Sequence, residues 1–553
     1  MSELATAGIA NARVGASCRK SRWPLSLHIP RYVLNATLLN IAVTCVFLML
    51  DHRFLHWFIL PSTVCGAVCL SSLMSAVRQE QLFTDPLLLV SVLGYHNTYL
   101  APMLQVYWDY RIIALPIQPE DFRPWLGRVA CINLVGIAIF ICIFSRVVNS
   151  SADTKFQRIW VIDRGRLVLF GFLVILASVA MQVYVYSEFG GISGYVDKYL
   201  YDREAWNNKG ALLVIAESAP LMAVLNLGCL QQKRVRRGRI RRTSWPLLIV
   251  CGLVFLVLQI VFGGLRGSRS NILVNCFFAA GIVHQVFRPL PKRVVIILGI
   301  AAVAFSYYYV FFKDFGYAGV SAAVSLEGRE SLVSQSGRST ENVFIADFSR
   351  SDVQAFIVQE LESGQDVDIA KGRTYVGTLS LLVPRILWPE RPPTKLKWTT
   401  ELENGQGSYG TGAYPSSRMY GQLGEAMLNF GYWGVPISFA LMGFVLGKLS
   451  TLSRQLWTTD ARRMLLPGMV IASACMVIQD SENVLYFIVQ YLAIPWTVIW
   501  MSTSRHRLGY AFPPVNPRGG GETLTGGKAL TRWSGRPLRT AVGRSRPIPG
   551  GHL

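Results

Sequence analysis

The chain has 553 residues, of which 52% are hydrophobic and only 16% charged, with a mean hydropathy of +0.36. These values exclude an ordinary soluble domain. The net charge of +22 would suit nucleic acid, but the basic residues fall between apolar runs; that placement serves membrane topology and excludes nucleic acid as a partner.

The first apolar run begins only near Tyr32, after a basic stretch from Arg13 to Arg31. More apolar runs follow, so 1–32 predicts a cytoplasmic segment ahead of a retained anchor rather than a cleaved signal peptide. Runs of roughly 20 mainly apolar residues, the length a span needs, predict helices at 33–50, 55–76, 86–106, 125–145, 167–187, 211–230, 245–265, 270–287 and 294–312. Three more are predicted at 420–447, 464–479 and 484–502. With a cytoplasmic N-terminus, the basic clusters Arg146 to Arg166, Lys233 to Arg242, Arg288 to Arg293 and Lys448 to Arg463 all fall inside, as the positive-inside rule requires. The run from Lys233 to Arg242 is the strongest of them and would touch anionic lipid. What remains is a large extracytoplasmic loop, 313–419, and a cytoplasmic tail, 503–553, whose Gly, Pro and Arg content predicts disorder. The expected fold is an all-α polytopic integral membrane protein with about 12 transmembrane helices, one large outer loop and both termini cytoplasmic. No internal repeat of the inverted-repeat transporter kind is present.

Within the loop, Ser351 and Gln354 have capping-box spacing. Phe348, Phe356, Ile357 and Leu361 supply an apolar face and Gly364 a stop, which predicts a short amphipathic helix lying on the bilayer or on the other loops. The prolines of Val383 to Pro393 forbid an uninterrupted helix. Asn404 to Gly412, rich in glycine, reads as a mobile lid. The ten cysteines and seven histidines all lie outside 313–419. No disulfide therefore staples the loop, no histidine base stands on it, and no metal-ligand spacing occurs anywhere. Neither a metal nor a cofactor is expected.

Ionisable residues inside spans are costly and mark function. Glu217 and Glu425 are the carboxylates clearly within spans, and Asp480 and Glu482 cap the span at 464–479. Arg266 and Arg269, in Gly263-Gly264-Leu265-Arg266-Gly267-Ser268-Arg269-Ser270-Asn271, would share one helical face, where two planar forks could grip one diphosphate. All of these are expected at one depth near the outer leaflet. Arg373 and Arg385 are further anion candidates, and Trp388 could stack on a sugar or meet the interface. Glu425 and Asn429, at i and i+4, would face one cavity or form a buried structural pair.

The strings GGLRGSRSN, TYVGTLSLLVPRILWPERPP and GEAMLNFGYWGVPISFALMGFVLGKL, in that order, resemble bacterial O-antigen or oligosaccharide repeat-unit polymerases of the Wzy type. The resemblance covers roughly residues 245 to 500. It implies an inverting, metal-independent glycosyltransferase of the GT-C class in the bacterial inner membrane. The growing glycan would pass from undecaprenyl diphosphate to the next lipid-linked repeat unit, with a chain-length regulator and a flippase as partners. By this resemblance Arg266 and Arg269 map to the arginine pair after the mid-chain span, Arg385 to the Pro-Arg…Trp-Pro segment, and Glu425 to the Gly-Glu opening the next span. Position alone suggests Glu425 as the base.

Three rivals differ at identifiable features. A glycan ligase of the same superfamily would carry a histidine in the outer loop. A polyprenyl-phosphate-sugar transferase would carry an acidic residue in a long first outer loop, where this chain has only Asp51-His52-Arg53-Phe54. A permease or lipid-linked glycan flippase would need charged or broken spans through the bilayer depth.

Overall fold

The computed structural model describes residues 30–507 except 79–82, 113–114, 116–117, 151–157, 203–205, 207–208, 236–242, 337–338, 364–368, 385–386, 411–417 and 458–459. Gly364, Arg385, most of the Lys233 to Arg242 run and the tail beyond Arg507 lie outside the described residues.

The chain is a multi-pass α-helical membrane protein. Among the described residues ten helices are long and apolar enough to cross a bilayer, or eleven if one bent pair is a single span. In chain order they begin with α1 (Arg31–Leu50), α2 (Ile59–Arg78), α3 (Pro86–Tyr107), α4 (Arg123–Ser150) and α5 (Arg164–Glu188). The bent pair follows, α6 (Gly210–Ala216) and α7 (Ala219–Val235), then α8 (Trp245–Arg266), α9 (Arg269–Phe287) and α10 (Lys292–Ala322). Asp51, Asp85, Asp163 and Asp460 each cap a helical segment by accepting from a backbone N–H two or three residues on, which satisfies donors that a helix start leaves free. Apolar side chains such as Leu38, Phe172, Leu176, Ile297 and Ile300 stand exposed, the surface a hydrocarbon layer covers. The α3 span is the most enclosed of the ten, with 56% of its apolar window buried.

The large loop is not a separate aqueous lobe. Its helices α11 (Ser351–Glu362), α12 (Arg373–Ser380) and α13 (Lys395–Asn404) fold onto the bundle. The predicted amphipathic helix is α11, but Ser351, Asp352, Val353, Gln354, Phe356, Ile357 and Val358 are all buried. It packs against α4, so of the two expected resting places the bilayer surface is excluded. The capping box is absent as well, since Gln354 donates to the Tyr420 carbonyl instead.

The predicted span 420–447 is a hairpin. Helix α14 (Gly421–Phe430) stops at Gly431, whose φ of 57° only glycine adopts without strain, and α15 (Gly434–Gln455) runs back beside it. A Cβ on Gly434 would lie 2.2 Å from the Ala426 carbonyl oxygen, and the Gln422 side chain donates to Ser438 O.

The predicted span 464–479 is α16 (Leu466–Ala474) between 3-10 turns at Ala461–Leu465 and Cys475–Val477, too short to count as a span by length. Its ends nevertheless lie far apart. Arg462 stacks on Trp160, while Asp480 just beyond the other end accepts from Tyr420 N. The larger rise of the 3-10 turns, ~2.0 Å against 1.5 Å, stretches Ala461–Val477 to about 30 Å, the thickness of the hydrocarbon core. The last helix, α17 (Ser481–Met501), then returns.

One small sheet closes the face opposite the loop. Strand β1 (Arg158–Ile162), between α4 and α5, pairs antiparallel with β2 (Thr503–Arg507), after α17, with Val161 opposite Ser504. Both connections therefore share one side. Directly opposed Cβ atoms in such pairs lie about 5 Å apart, so Val161→Cys/Ser504→Cys in a cysteine-free background should form an intramolecular disulfide under mild oxidation. Failure to cross-link in folded protein would contradict this register.

Candidate functional site

Polar residues gather in two clusters joined by α17. In the first, Glu425 is buried on α14. Its Oε1 accepts from Thr374 Oγ1 at 2.8 Å and Ser481 Oγ at 2.6 Å, and its Oε2 accepts from Ser481 N at 2.6 Å. Asn429, one turn on, donates to Thr374 Oγ1 at 2.6 Å, so the predicted shared face exists and meets α12 rather than an open cavity. Three donors meet the carboxylate, two at Oε1 and one at Oε2, which leaves acceptor capacity on Oε2. Glu425 thus clamps the loop helix α12 to the start of α17.

Beside it, Asp480 is fully buried, ion-paired with Lys395 and accepting from Tyr420 N at 2.9 Å. Tyr420 in turn donates to Glu403, which pairs with Arg418. Glu482 is half-buried in the first turn of α17, where a negative charge favours the helix dipole. Arg373 is exposed at the start of α12, and Trp388 is exposed with Leu387, Leu382 and Leu379.

The second cluster centres on Glu217. The span bends by 40° between α6 and α7, and Glu217 sits in the break. Ser178 of α5 repairs the backbone there: its hydroxyl donates to Ala216 O at 2.6 Å and accepts from Ala219 N at 3.0 Å, as a broken helix in a membrane requires. Glu217 pairs with Arg266 Nε at 2.6 Å and accepts from Asn271 and Gln490. Arg266 also donates to Tyr486.

Two sequence expectations fail here. Arg266 and Arg269 do not share a helical face, because Gly267 takes a left-handed φ of 73° and separates a 3-10 turn from α9. Arg266 goes to Glu217, while Arg269 pairs with Asp347 in the loop at 2.5 Å. Nor are the two carboxylates at one depth. Their partners Ser481 and Gln490 are nine residues apart on α17, about 13 Å along the axis.

The structure adds residues that the sequence did not single out. Asn97, in the middle of α3, accepts from Ser349 Oγ and from Arg350 N at 2.9 and 2.8 Å. Arg350, 4% exposed, donates to the carbonyls of Ile478, Ala346 and Ser349, and makes no ion pair with a carboxylate among the described residues. Asp352 is 2% exposed, and its Oδ1 has no hydrogen-bond partner among them. The available signal was polar residues adjoining apolar runs: His96-Asn97-Thr98 within a span, and Ser349-Arg350-Ser351-Asp352 before a helix.

Breaking a buried ion pair leaves one charge uncompensated, at a cost of roughly 3–5 kcal/mol. Glu217→Gln and Arg266→Gln should therefore each lower the melting temperature in detergent, and the double variant should cost far less than their sum. Additive losses would show that the pair is not coupled. A pH effect is expected at Asp352, where burial pushes the carboxyl up from 3.8 to about 6. Between those values the folded protein holds a proton that the unfolded chain releases. The contribution is thus present at low pH and lost as pH rises through about 6. Melting curves of Asp352→Asn should gain on the parent chain from pH 4 to pH 6.5, and parallel curves would contradict this.

No protein family, curated protein or solved structure matches the chain.

Proposed function

We propose that the protein is a GT-C-like, inverting, metal-independent membrane glycosyltransferase that polymerises lipid-linked oligosaccharide repeat units. It would transfer the growing glycan from undecaprenyl diphosphate to the next unit at the outer face of the bacterial inner membrane, supplying an O-antigen, capsule or exopolysaccharide. The observation that carries this reading is the large loop folded into one end of an apolar bundle, with fixed cations and carboxylates held at membrane depth.

The chemistry asks for that combination. The leaving group is a diphosphate anchored by a lipid, so its charge develops at the bilayer edge and must be met by preorganised donors. Arginine serves because its fork matches phosphate oxygens and stays charged. Of Arg266, which ends α8, and Arg269, which opens α9, Arg269 is the better phosphate donor, being part exposed and paired to the loop residue Asp347. Arg266 is fixed by Glu217 and acts as a positioning residue. Glu425 likewise positions α12 against α17. The exposed apolar run Leu379, Leu382, Leu387 and Trp388 suits a loop edge resting in the lipid interface where the carrier enters.

The bent span with a buried carboxylate in its break favours a second reading, a lipid-linked glycan flippase. Glycan profiling of a strain lacking the protein separates the two. The polymerase reading expects single repeat units on the outer surface and no long chains, restored by the intact gene. Units trapped inside would establish the flippase instead, and unchanged long chains would overturn both.

A further inference from the structure

Arg350 is the most anomalous charge in the described residues. A buried guanidinium costs several kcal/mol unless an anion compensates it, yet its nitrogens meet only carbonyls and the Met419 sulfur. One of those carbonyls belongs to Ala346, the residue before Asp347, and the Asp347 charge bears on the guanidinium ahead of those of Asp480 and Asp352 without pairing with it. On the other side, Asp347 pairs with Arg269 Nη2 at 2.5 Å. Arg269 Nη1 is buried and has no hydrogen-bond partner among the described residues. Two arginines from different elements thus flank one carboxylate, and one fork keeps a donor unused.

We propose that Arg269 and Arg350 form a phosphate-binding site in which Asp347 stands, in the resting protein, where a phosphate group of the substrate binds. A phosphate brings more oxygens than a carboxylate, so it can use the unused Arg269 Nη1 as well as the donor Asp347 now occupies. The other charges facing the site permit this. Asp480 is already neutralised by Lys395, and Asp352 has its carboxyl pushed up to about 6 by burial, so little repulsion remains below that pH. Asp347 and Arg269 are partly exposed, at 24% and 21% of their side chains, which gives the entry. Asp347 ends a wide π-turn, Val343–Asp347, a local irregularity frequent at functional sites. The proposal rests on the polymerase reading for its natural ligand, a lipid diphosphate, but its anion chemistry does not depend on the glycan.

The test uses the full chain in detergent and measures binding of inorganic pyrophosphate and of farnesyl diphosphate by calorimetry. Asp347→Asn removes the built-in competitor and should tighten pyrophosphate binding about tenfold or more. Glu341→Gln, a carboxylate in the same loop segment, controls for loss of charge alone and should leave affinity unchanged. Arg269→Gln and Arg350→Lys should weaken binding, and Arg269→Gln added to Asp347→Asn should abolish the gain. Should Arg350→Lys fail to fold, the Arg269→Gln pair still decides. Tighter binding of the prenyl ligand assigns the site to a lipid headgroup, and equal binding assigns it to free diphosphate. Unchanged or weaker pyrophosphate binding in folded Asp347→Asn, or a gain equal to that of Glu341→Gln, would overturn the proposal. The glycan profile of a strain lacking the protein reports separately on the polymerase reading, so the two can fail independently.

Discussion

The architecture turns on the carboxamide of Asn97. In the middle of α3 it would be an orphaned polar group in hydrocarbon, a cost that membrane helices avoid. Its Oδ1 instead accepts from Ser349 Oγ and from the Arg350 backbone N–H, and His96 Nε2 meets the Phe344 carbonyl one residue earlier on α3 at 2.8 Å. The anchor lies ten residues before the end of α3, about 15 Å along its axis. A loop tied there cannot stand off in water. Burial of α11, the seating of Arg350 against Ile478 and the docking of Tyr420 on Asp480 all follow from that constraint.

Helix α17 then distributes the constraint. Ser481 holds Glu425, Tyr486 holds Arg266, and Gln490 holds Glu217. One helix, widened by a π-turn at Val489–Ala493, therefore ties the loop cluster to the broken span α6–α7. Both in-span carboxylates singled out from the sequence hold this scaffold together. At the loop side, Arg269 Nη1 and Asp352 Oδ1 keep hydrogen-bonding capacity that no partner among the described residues uses. This division supports a site whose chemistry happens under the loop, while the deeper pair keeps the helices in register.

Hydropathy made most spans legible, because a bilayer demands long apolar helices irrespective of tertiary context. It failed where one glycine reverses the chain: GEAMLNFGYWGVP is apolar but for Glu425 and Asn429, and the left-handed requirement at Gly431 separates a straight span from the α14–α15 hairpin. Gly267 defeated the Arg266/Arg269 expectation in the same way, by ending one helical turn before another begins. The i, i+4 spacing of Glu425 and Asn429 did place them on one face, since helical periodicity is local. What that face meets, Thr374 some fifty residues away, is tertiary and invisible in the string. Arg350 and Asp352 carry little signal in the string, because charges in a wet loop cost little. Only burial makes them informative.

The central claim, that the large loop is folded into the bundle at mid-depth of α3, is tested most directly by photocross-linking from position 344. With a benzophenone amino acid replacing Phe344, irradiation of membranes should yield an intramolecular adduct. Proteolytic mapping should place it in the α3 peptide around His96, where the Phe344 carbonyl sits. Adducts confined to lipid, to other loop peptides or to added water-soluble quenchers would contradict the account.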